Sequence, residues 1–137
     1  MEIEVAIVKH LLALPGVSAL VGNRVFQNGA VPDDTDYPYV SIMLVYGRDE
    51  ECLSESPNFA EDTFQFSSAG LTRAGANTIA KQVNLALKDF SGVMGGAGGV
   101  NIQAVTHDGR HDSTEKQTDG TVLFYRDEDF VFYYERQ

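Results

Sequence analysis

The segment from Leu14 to Phe26 constrains the fold of this chain more than any other part of the sequence. Pro15-Gly16 stops a preceding helix, Val17 to Val21 is a short apolar stretch, and Gly22 can adopt the left-handed conformation that ends a helical turn. Arg24 to Gln27 then has the composition of a strand. The segment predicts a helix, a short helical piece and a strand in direct succession, which is typical of an α+β protein.

Two longer stretches have the periodicity of amphipathic helices. From Glu2 to Leu14, apolar residues recur every three or four positions, and His10 lies on the same apolar stripe. Thr72 to Phe90 has the same pattern, with Thr72 as the candidate N-cap and Ser91-Gly92 as the end. We expect His10 to be a partly buried structural side chain and the second helix to lie across a sheet.

Several stretches have the alternation or the apolar density of strands. They are Arg24 to Gln27, Tyr39 to Tyr46, Thr63 to Ser67, Val100 to Thr106 and Thr121 to Glu135. The pattern predicts a two-layer α+β sandwich, in which a mostly antiparallel sheet of about four to five strands carries two main helices on one face. A chain of 137 residues fits one domain, residues 1–137, with its own core.

Charge and composition exclude several classes of function. The formal net charge is −10, from 20 acidic and 10 basic residues, which argues against tight nucleic-acid binding because that affinity comes largely from Lys and Arg. Glu2 and Glu4 stand where a secretory signal has positive charge, and no apolar run approaches the roughly 20 residues of a membrane helix. The single cysteine, Cys52, cannot form an internal disulfide, so we expect synthesis in a reducing cytoplasm.

No motif in the sequence indicates catalysis, a cofactor or a metal. The glycine-rich run from Gly92 to Gly99 follows a helix and enters a strand, the reverse of the order in a phosphate loop. His107 and His111 share a ligand spacing that works only on a helix, and Gly109 between them argues against one. Cys52 lies beside carboxylates that raise a thiol pKa, so it is a poor nucleophile. We therefore predict that the protein is not an enzyme.

Two polar segments and one aromatic strand are the candidate surfaces for assembly. Gly47 to Asp62 is predicted to be an exposed acidic loop, and His107 to Gly120 a long mobile hairpin arm. Candidate channel or docking residues in these segments are Asp49, Glu50, Glu51, Asp108, Asp112, Glu115 and Asp119. The last strand is apolar on both faces near its end, so we expect an uncovered aromatic patch there. Phe130, Phe132 and Tyr134 are the candidate subunit interface.

A resemblance to a known family spans nearly the whole chain. It is carried by Leu20-Val21-Gly22-Asn23-Arg24-Val25-Phe26, by Tyr37-Pro38-Tyr39-Val40 opening a strand, by Phe64-Gln65-Phe66, and by the alanine-rich helix before the final aromatic strand. In this order of elements the chain resembles the tail-completion, or tail-terminator, proteins of long-tailed bacteriophages. The resemblance implies a structural virion protein that is made in the host cytoplasm.

The resemblance also implies an assembly. Such proteins cap the finished tail tube as a ring, usually of six subunits, and join it to the head connector, so the expected partners are other copies of the chain, the tail tube protein and the connector. DNA would only pass through the ring. Carboxylates facing that channel would repel phosphate, and we expect at least one acidic arm to line it.

Two other interpretations of the sequence remain open. One is a head-completion or neck adaptor protein that binds the portal side of the same joint. The other is a non-phage binding domain whose acidic loops hold a basic partner or calcium.

Overall fold

The computed structural model describes residues 1–27, 30–50 and 59–136. It contains three helices and six strands that share one core cluster. In chain order they are α1 (Ile3–Leu12), α2 (Pro15–Val21), β1 (Val25–Gln27), β2 (Tyr39–Glu50), β3 (Phe59–Gly70), α3 (Arg73–Leu87), β4 (Gly92–Met94), β5 (Val100–Lys116) and β6 (Val122–Glu135). The α+β class predicted from the sequence is confirmed.

The six strands form one mixed, curled sheet in the order β1-β2-β3-β6-β5-β4. β1 is parallel to β2, and the remaining neighbours are antiparallel. The predicted count of four to five strands is therefore too low, and the curled sheet with one parallel pair differs from the predicted mostly antiparallel two-layer sandwich. β4 was missed because three strand residues inside a glycine-rich run carry no alternation of apolar and polar residues, whereas α2 corresponds to the short helical piece predicted at Val17 to Val21.

The helices cover one face of the sheet, and aromatic side chains fill the space between them. Phe64, Phe66, Phe130 and Phe132 are almost fully buried there. The rings of Phe64 and Phe132 are 5.6 Å apart and nearly perpendicular, and those of Phe66 and Phe130 are 5.5 Å apart in the same arrangement. Edge-to-face pairs of this kind stabilise a core beyond their area burial. They join β3 to β6 at the centre of the molecule.

The predicted N-cap of α3 is confirmed, whereas α3 ends at Leu87, before the predicted end at Ser91-Gly92, and Gly92 begins β4. Thr72 is the N-cap of α3, and its Oγ1 accepts a hydrogen bond of 2.9 Å from the backbone N–H of Gly75. Gly22 follows α2 with a positive φ of 61°, which glycine adopts readily, but its ψ of −121° differs from the left-handed helical conformation expected there. His10 is half-buried, as predicted, with Nε2 3.0 Å from the carbonyl oxygen of Ala86 and its ring against Phe90.

Both polar segments contain more strand than the sequence predicted. The predicted loop Gly47 to Asp62 begins and ends in regular structure, because β2 continues to Glu50 and β3 starts at Phe59. β5 continues to Lys116 and remains paired with β6, so the first ten residues of the predicted arm are a strand. This part of β5 is exposed on both faces, so its side chains are polar on both faces. The alternation of apolar and polar residues that indicates a strand is therefore missing from the sequence.

Among the described residues, no single helix is long and apolar enough to cross a membrane. α1 and α2 reach that length and composition only when taken together, and they are bent by 86° at their junction. Their buried residues, which include Ile7, Leu11 and Val17, belong to the core cluster.

Candidate assembly surfaces

The predicted interface residues lie inside the subunit. Phe130 and Phe132 are 0% exposed and Tyr134 is 7% exposed. The Tyr134 hydroxyl donates a hydrogen bond of 2.6 Å to Oδ2 of Asp62, which is itself buried. Burial, and then this hydrogen bond, raise the pKa of Tyr134. The expectation that these three side chains form an uncovered patch is wrong, because alternation along β6 turns them toward the helices.

The opposite face of β6 is mixed in character. Val131 and Asp127 are 8% exposed, and Tyr133 is half-buried. His111 on β5 lies beside this face, with Nε2 3.1 Å from Oδ2 of Asp127. Oδ1 of Asp127 and Oδ1 of Asp129 are buried without a hydrogen-bond partner among the described groups. The side of β6 that faces away from the helices therefore carries both apolar and polar side chains.

The far half of the β5–β6 hairpin, residues 107–130, is named here the β5–β6 arm, and one ion pair together with two hydrogen bonds holds it to α3. Asp112 accepts two hydrogen bonds from Arg126, which hold the pKa of the Asp112 carboxyl below its ordinary value. Arg73 at the start of α3 lies 3.4 Å from Asp112 and donates to the carbonyl oxygens of Tyr125 and Ser113. Asp112, predicted as a channel residue, is thus paired with two arginines.

The other acidic residues predicted for this arm have different surroundings. Glu115 accepts a hydrogen bond of 3.1 Å from the Tyr125 hydroxyl, whose pKa is raised chiefly by burial. Asp119 lies in the turn between the strands, and the backbone N–H of Thr121 donates to it at 2.8 Å and lowers its pKa. Asp108 is exposed beside a β-bulge and forms no ion pair with a described residue.

The acidic residues predicted at the β2–β3 hairpin are described only in part. Asp49 is exposed and 2.7 Å from Nη1 of Arg136, and this hydrogen bond raises the pKa of Arg136. Glu50 is the last residue of β2. Glu51 lies outside the described residues.

β2 has an open edge that the sequence analysis missed. β1 pairs only with Val40 to Ile42, so beyond Ile42 no described strand pairs with the outer side of β2. Four consecutive side chains in that stretch are exposed, from 42% to 63%, and they are named here the β2 patch: Met43, Leu44, Val45 and Tyr46. Exposed apolar residues on an unpaired strand edge are typical of a surface that another chain covers.

β5 has a second open edge on the other side of the sheet. β4 pairs only with Val100 to Ile102, and within the described part of the chain nothing pairs with the outer side of β5 beyond them. A groove of about 340 Å³, named here the α3 groove, lies between α3 and the β5–β6 arm. It is lined by Asn77, Ala80, Lys81, Asn84, Leu85, Arg110, Arg126 and Glu128.

Two cationic side chains that line the α3 groove form no ion pair with a described residue. Arg126 is paired with Asp112, and the buried Glu128 lies 3.5 Å from Nε2 of His107. Lys81 and Arg110 form no ion pair within the described residues, and Leu85 beside them is 64% exposed. The groove therefore combines positive charge with an exposed apolar side chain, on a molecule whose formal net charge is −10.

No three His, Cys, Asp or Glu side chains of residues 1–27, 30–50 and 59–136 come together in a way that could hold a metal ion. The prominent features of the described surface are strand edges, an arm fixed by ion pairs and a charged groove. These features suit contacts between proteins.

Comparison with known proteins agrees with that character. The family described as Tail completion protein gp17 matches residues 5–125 of the chain. A search of curated proteins gave no match. Among solved structures, a chain from the virion of a native gene transfer agent particle matches with a TM-score of 0.70 and 18% identity, over 98% of this chain and 95% of that one. At this identity the structural match establishes the fold.

The fold and the family match together define a structural protein of a bacteriophage tail, located in the virion. More particularly, the chain belongs to the tail completion protein gp17 family. The sequence-based resemblance is thereby confirmed, and the alternative of a non-phage binding domain is wrong.

Proposed function

We propose that this protein closes the end of the tail tube as a ring of subunits, six by family resemblance, and joins the tail to the head connector. Family membership, from the match over residues 5–125, carries the proposal. A protein that completes a tail must contact the tail tube on one side and the head connector on the other. The expected partners are therefore further copies of the chain, the tail tube protein and the connector.

The open strand edges support a ring. A closed ring is built from heterologous contacts, in which one surface of a subunit meets a different surface of its neighbour. The β2 patch and the open edge of β5 are two such different surfaces, and they lie on opposite sides of the sheet. A two-fold dimer would instead need one self-complementary patch.

We also propose that the acidic β5–β6 arm faces the channel through which DNA passes. Asp108, Glu115 and Asp119 are exposed there, and carboxylates near a channel repel phosphate. Asp112 contributes less, because two arginines offset its charge. Asp108→Asn removes one free charge without breaking the arm, and we expect slower DNA ejection from otherwise normal particles. Unchanged ejection kinetics would contradict the channel assignment.

Deletion of the gene from the parent phage tests the proposal directly. Electron microscopy of lysates should then show filled heads beside separate tails of irregular length, and a plasmid copy of the gene should restore joined particles. Separate tails of uniform length would instead assign the protein to the head side of the joint, as a neck adaptor. Intact virions would overturn both roles.

A further inference from the structure

The two open strand edges lie at the same level of the sheet. β1 covers β2 only as far as Ile42, and β4 covers β5 only as far as Ile102. Rows of paired residues cross the sheet from β2 through β3 and β6 to β5. One row is Met43, Gln65, Asp129 and Gly109, the next is Tyr46, Thr63, Val131 and Thr106, and a third is Arg48, Glu61, Tyr133 and Ala104. Residues 43–48 of β2 and 104–109 of β5 are therefore free edges of equal length at equal height.

The two edges also run in opposite directions. β3 is antiparallel to β2, β6 is antiparallel to β3, and β5 is antiparallel to β6. Three reversals leave β5 antiparallel to β2. A second copy set beside the first in the same orientation would bring its β5 edge to the β2 edge as an antiparallel neighbour. Such a contact joins two different surfaces, which is the kind of contact that closes a ring.

The exposed side chains of the two edges fit one continuous sheet. Tyr46 and Thr106 belong to the row of Val131, on the face of the sheet turned away from the helices. Both are exposed in the free subunit. An aromatic residue facing a β-branched one stabilises an antiparallel pair, and backbone hydrogen bonds between the edges would add to it. Pairing would also cover the apolar β2 patch.

Charge does not oppose this pairing, although the formal net charge of each copy is −10. The facing pairs given by the rows are Met43 with Gly109, Leu44 with His107, Tyr46 with Thr106, Gly47 with Val105, and Arg48 with Ala104. None of them brings two acidic side chains together. Asp108 is a bulge residue without a facing partner in these rows, and Asp49 is paired with Arg136. Repulsion is therefore weak where the two edges would meet.

A buried carboxylate near the β5 edge lacks a donor. Oδ1 of Asp129 is buried and accepts no hydrogen bond from a described group. Asp129 is paired with Gly109, so no β5 side chain stands between it and the edge in its row. Tyr46 and Arg48 of an added β2 strand would lie on the same face of the sheet, and both carry hydrogen-bond donors. A second β2 strand thus brings donors to the face that has the unsatisfied acceptor.

We propose that β2 of one subunit adds to the free edge of β5 in the next subunit as an antiparallel strand, so that the two sheets become continuous. Residues 43–48 pair with residues 104–109, and Tyr46 faces Thr106. This contact rests on the proposed ring and specifies how its subunits are joined. The occupant of each edge is a second copy because the two free edges match in length, level, direction and face.

Disulfide cross-linking tests the pairing. In a Cys52→Ser background, Tyr46→Cys combined with Thr106→Cys places thiols at facing positions, whose Cβ atoms are about 4.5–5.5 Å apart in an antiparallel pair. Within one subunit these positions are three strands apart, roughly 14 Å, which is too far for a disulfide. Mild oxidation of protein assembled on tail tubes should therefore give a ladder of covalent multimers.

Two controls define the face and the symmetry of the contact. Tyr46→Cys with His107→Cys uses the next position of β5, which lies on the other face, and it should give no ladder. Tyr46→Cys alone should give no covalent dimer. A dimer of that variant would show that two β2 edges meet across a two-fold axis, and it would overturn the proposal. All of these side chains are exposed, so the variants should melt within a few degrees of the unmodified protein.

Amide hydrogen exchange reports the backbone hydrogen bonds themselves. Peptides that cover residues 43–48 and 104–109 should exchange more slowly in the assembled protein than in the dilute protein, by about tenfold. Residues 113–116, at the far end of β5 beyond the reach of β2, are the internal control and should exchange equally in both. Slower exchange at the β2 edge alone would show that a different chain covers it, and would overturn the contact.

The measurements separate this contact from the ring itself. Native mass spectrometry of the unmodified protein, alone and with tail tubes, reports whether a ring forms. Rings that lack either the ladder through positions 46 and 106 or the slower exchange at both edges would overturn the strand pairing and leave the ring proposal standing. If neither preparation gives a ring and the cysteine pair gives no ladder, the proposed ring and the contact are both wrong.

Discussion

Phe132→Ala tests whether the aromatic end of β6 is core or interface. The ring of Phe132 is 0% exposed, lies 5.6 Å from the ring of Phe64 and stacks 6.1 Å from that of Phe66. Truncating a buried phenylalanine to alanine typically costs about 3–5 kcal/mol of unfolding free energy, because transfer and cavity terms add. For a chain of this size, that loss corresponds to a melting temperature lower by roughly 10–20 °C.

The assay is thermal and urea unfolding of the dilute protein, followed by circular dichroism. Tyr46→Ala is the matched control, because it also removes an aromatic ring, but one that is 63% exposed in the β2 patch. The control should change stability by about 0.5 kcal/mol or less and weaken self-association instead. If Phe132→Ala keeps its stability and loses only self-association, the ring of Phe132 belongs to an interface and the assignment to the core is refuted.

Three local features give further expected outcomes. Thr72→Ala should lower the unfolding free energy by about 1 kcal/mol through loss of the α3 cap, and Thr72→Ser should restore most of it in urea titrations. Gly99→Ala should destabilise more than Gly96→Ala in the same assay, because a Cβ at Gly99 would clash with the backbone of Met94 and Gly96, whereas a Cβ at Gly96 meets no atom within 4 Å and is strained only by its φ of 79°. The lowered pKa of Asp112 gives stability that is present above its unfolded value near 3.8 and is lost as pH falls further. Unfolding midpoints measured from pH 7 to pH 2 should therefore fall less for Asp112→Asn than for the unmodified protein.

Sequence reasoning succeeded where the determining interactions are local. The helix from Thr72 onward was predicted from its cap and its apolar spacing, and the structure begins α3 at Arg73. Gly22 and the strand after it were predicted in the same way. These signals lie within a few residues of the features that they specify, so they can be recognised in a single sequence.

The edge of β2 could not be predicted because it depends on a neighbouring strand. The alternation of Val40, Ile42 and Leu44 is typical of a central strand, and the first two are buried. β1 ends its pairing at Ile42, however, and a β-bulge between Leu44 and Tyr46 changes the register. The apolar side chains beyond that point are consequently exposed.

The face of β6 that enters the core was equally beyond local reasoning. Residues 130–134 are aromatic or apolar without alternation, so the sequence permits either face to be buried. The helices decide the outcome by covering one side of the sheet. The buried carboxylate of Asp62 fits this arrangement because the hydroxyl of Tyr134 reaches it from the next strand. This hydrogen bond joins two positions that are 72 residues apart in the sequence, so a local sequence pattern does not reveal it.

Both open edges follow from the shortness of β1 and β4. Each of these strands has three residues and covers only one end of a much longer neighbour, β2 of 12 residues and β5 of 17. Unpaired edges invite uncontrolled strand pairing, and the apolar β2 patch increases that tendency. The formal net charge of −10 opposes it, because copies of like charge repel one another. A chain built in this way resists pairing of β2 with β2 and favours a partner surface of opposite charge at that edge, a property that the proposed ring would need in order to close without aggregation.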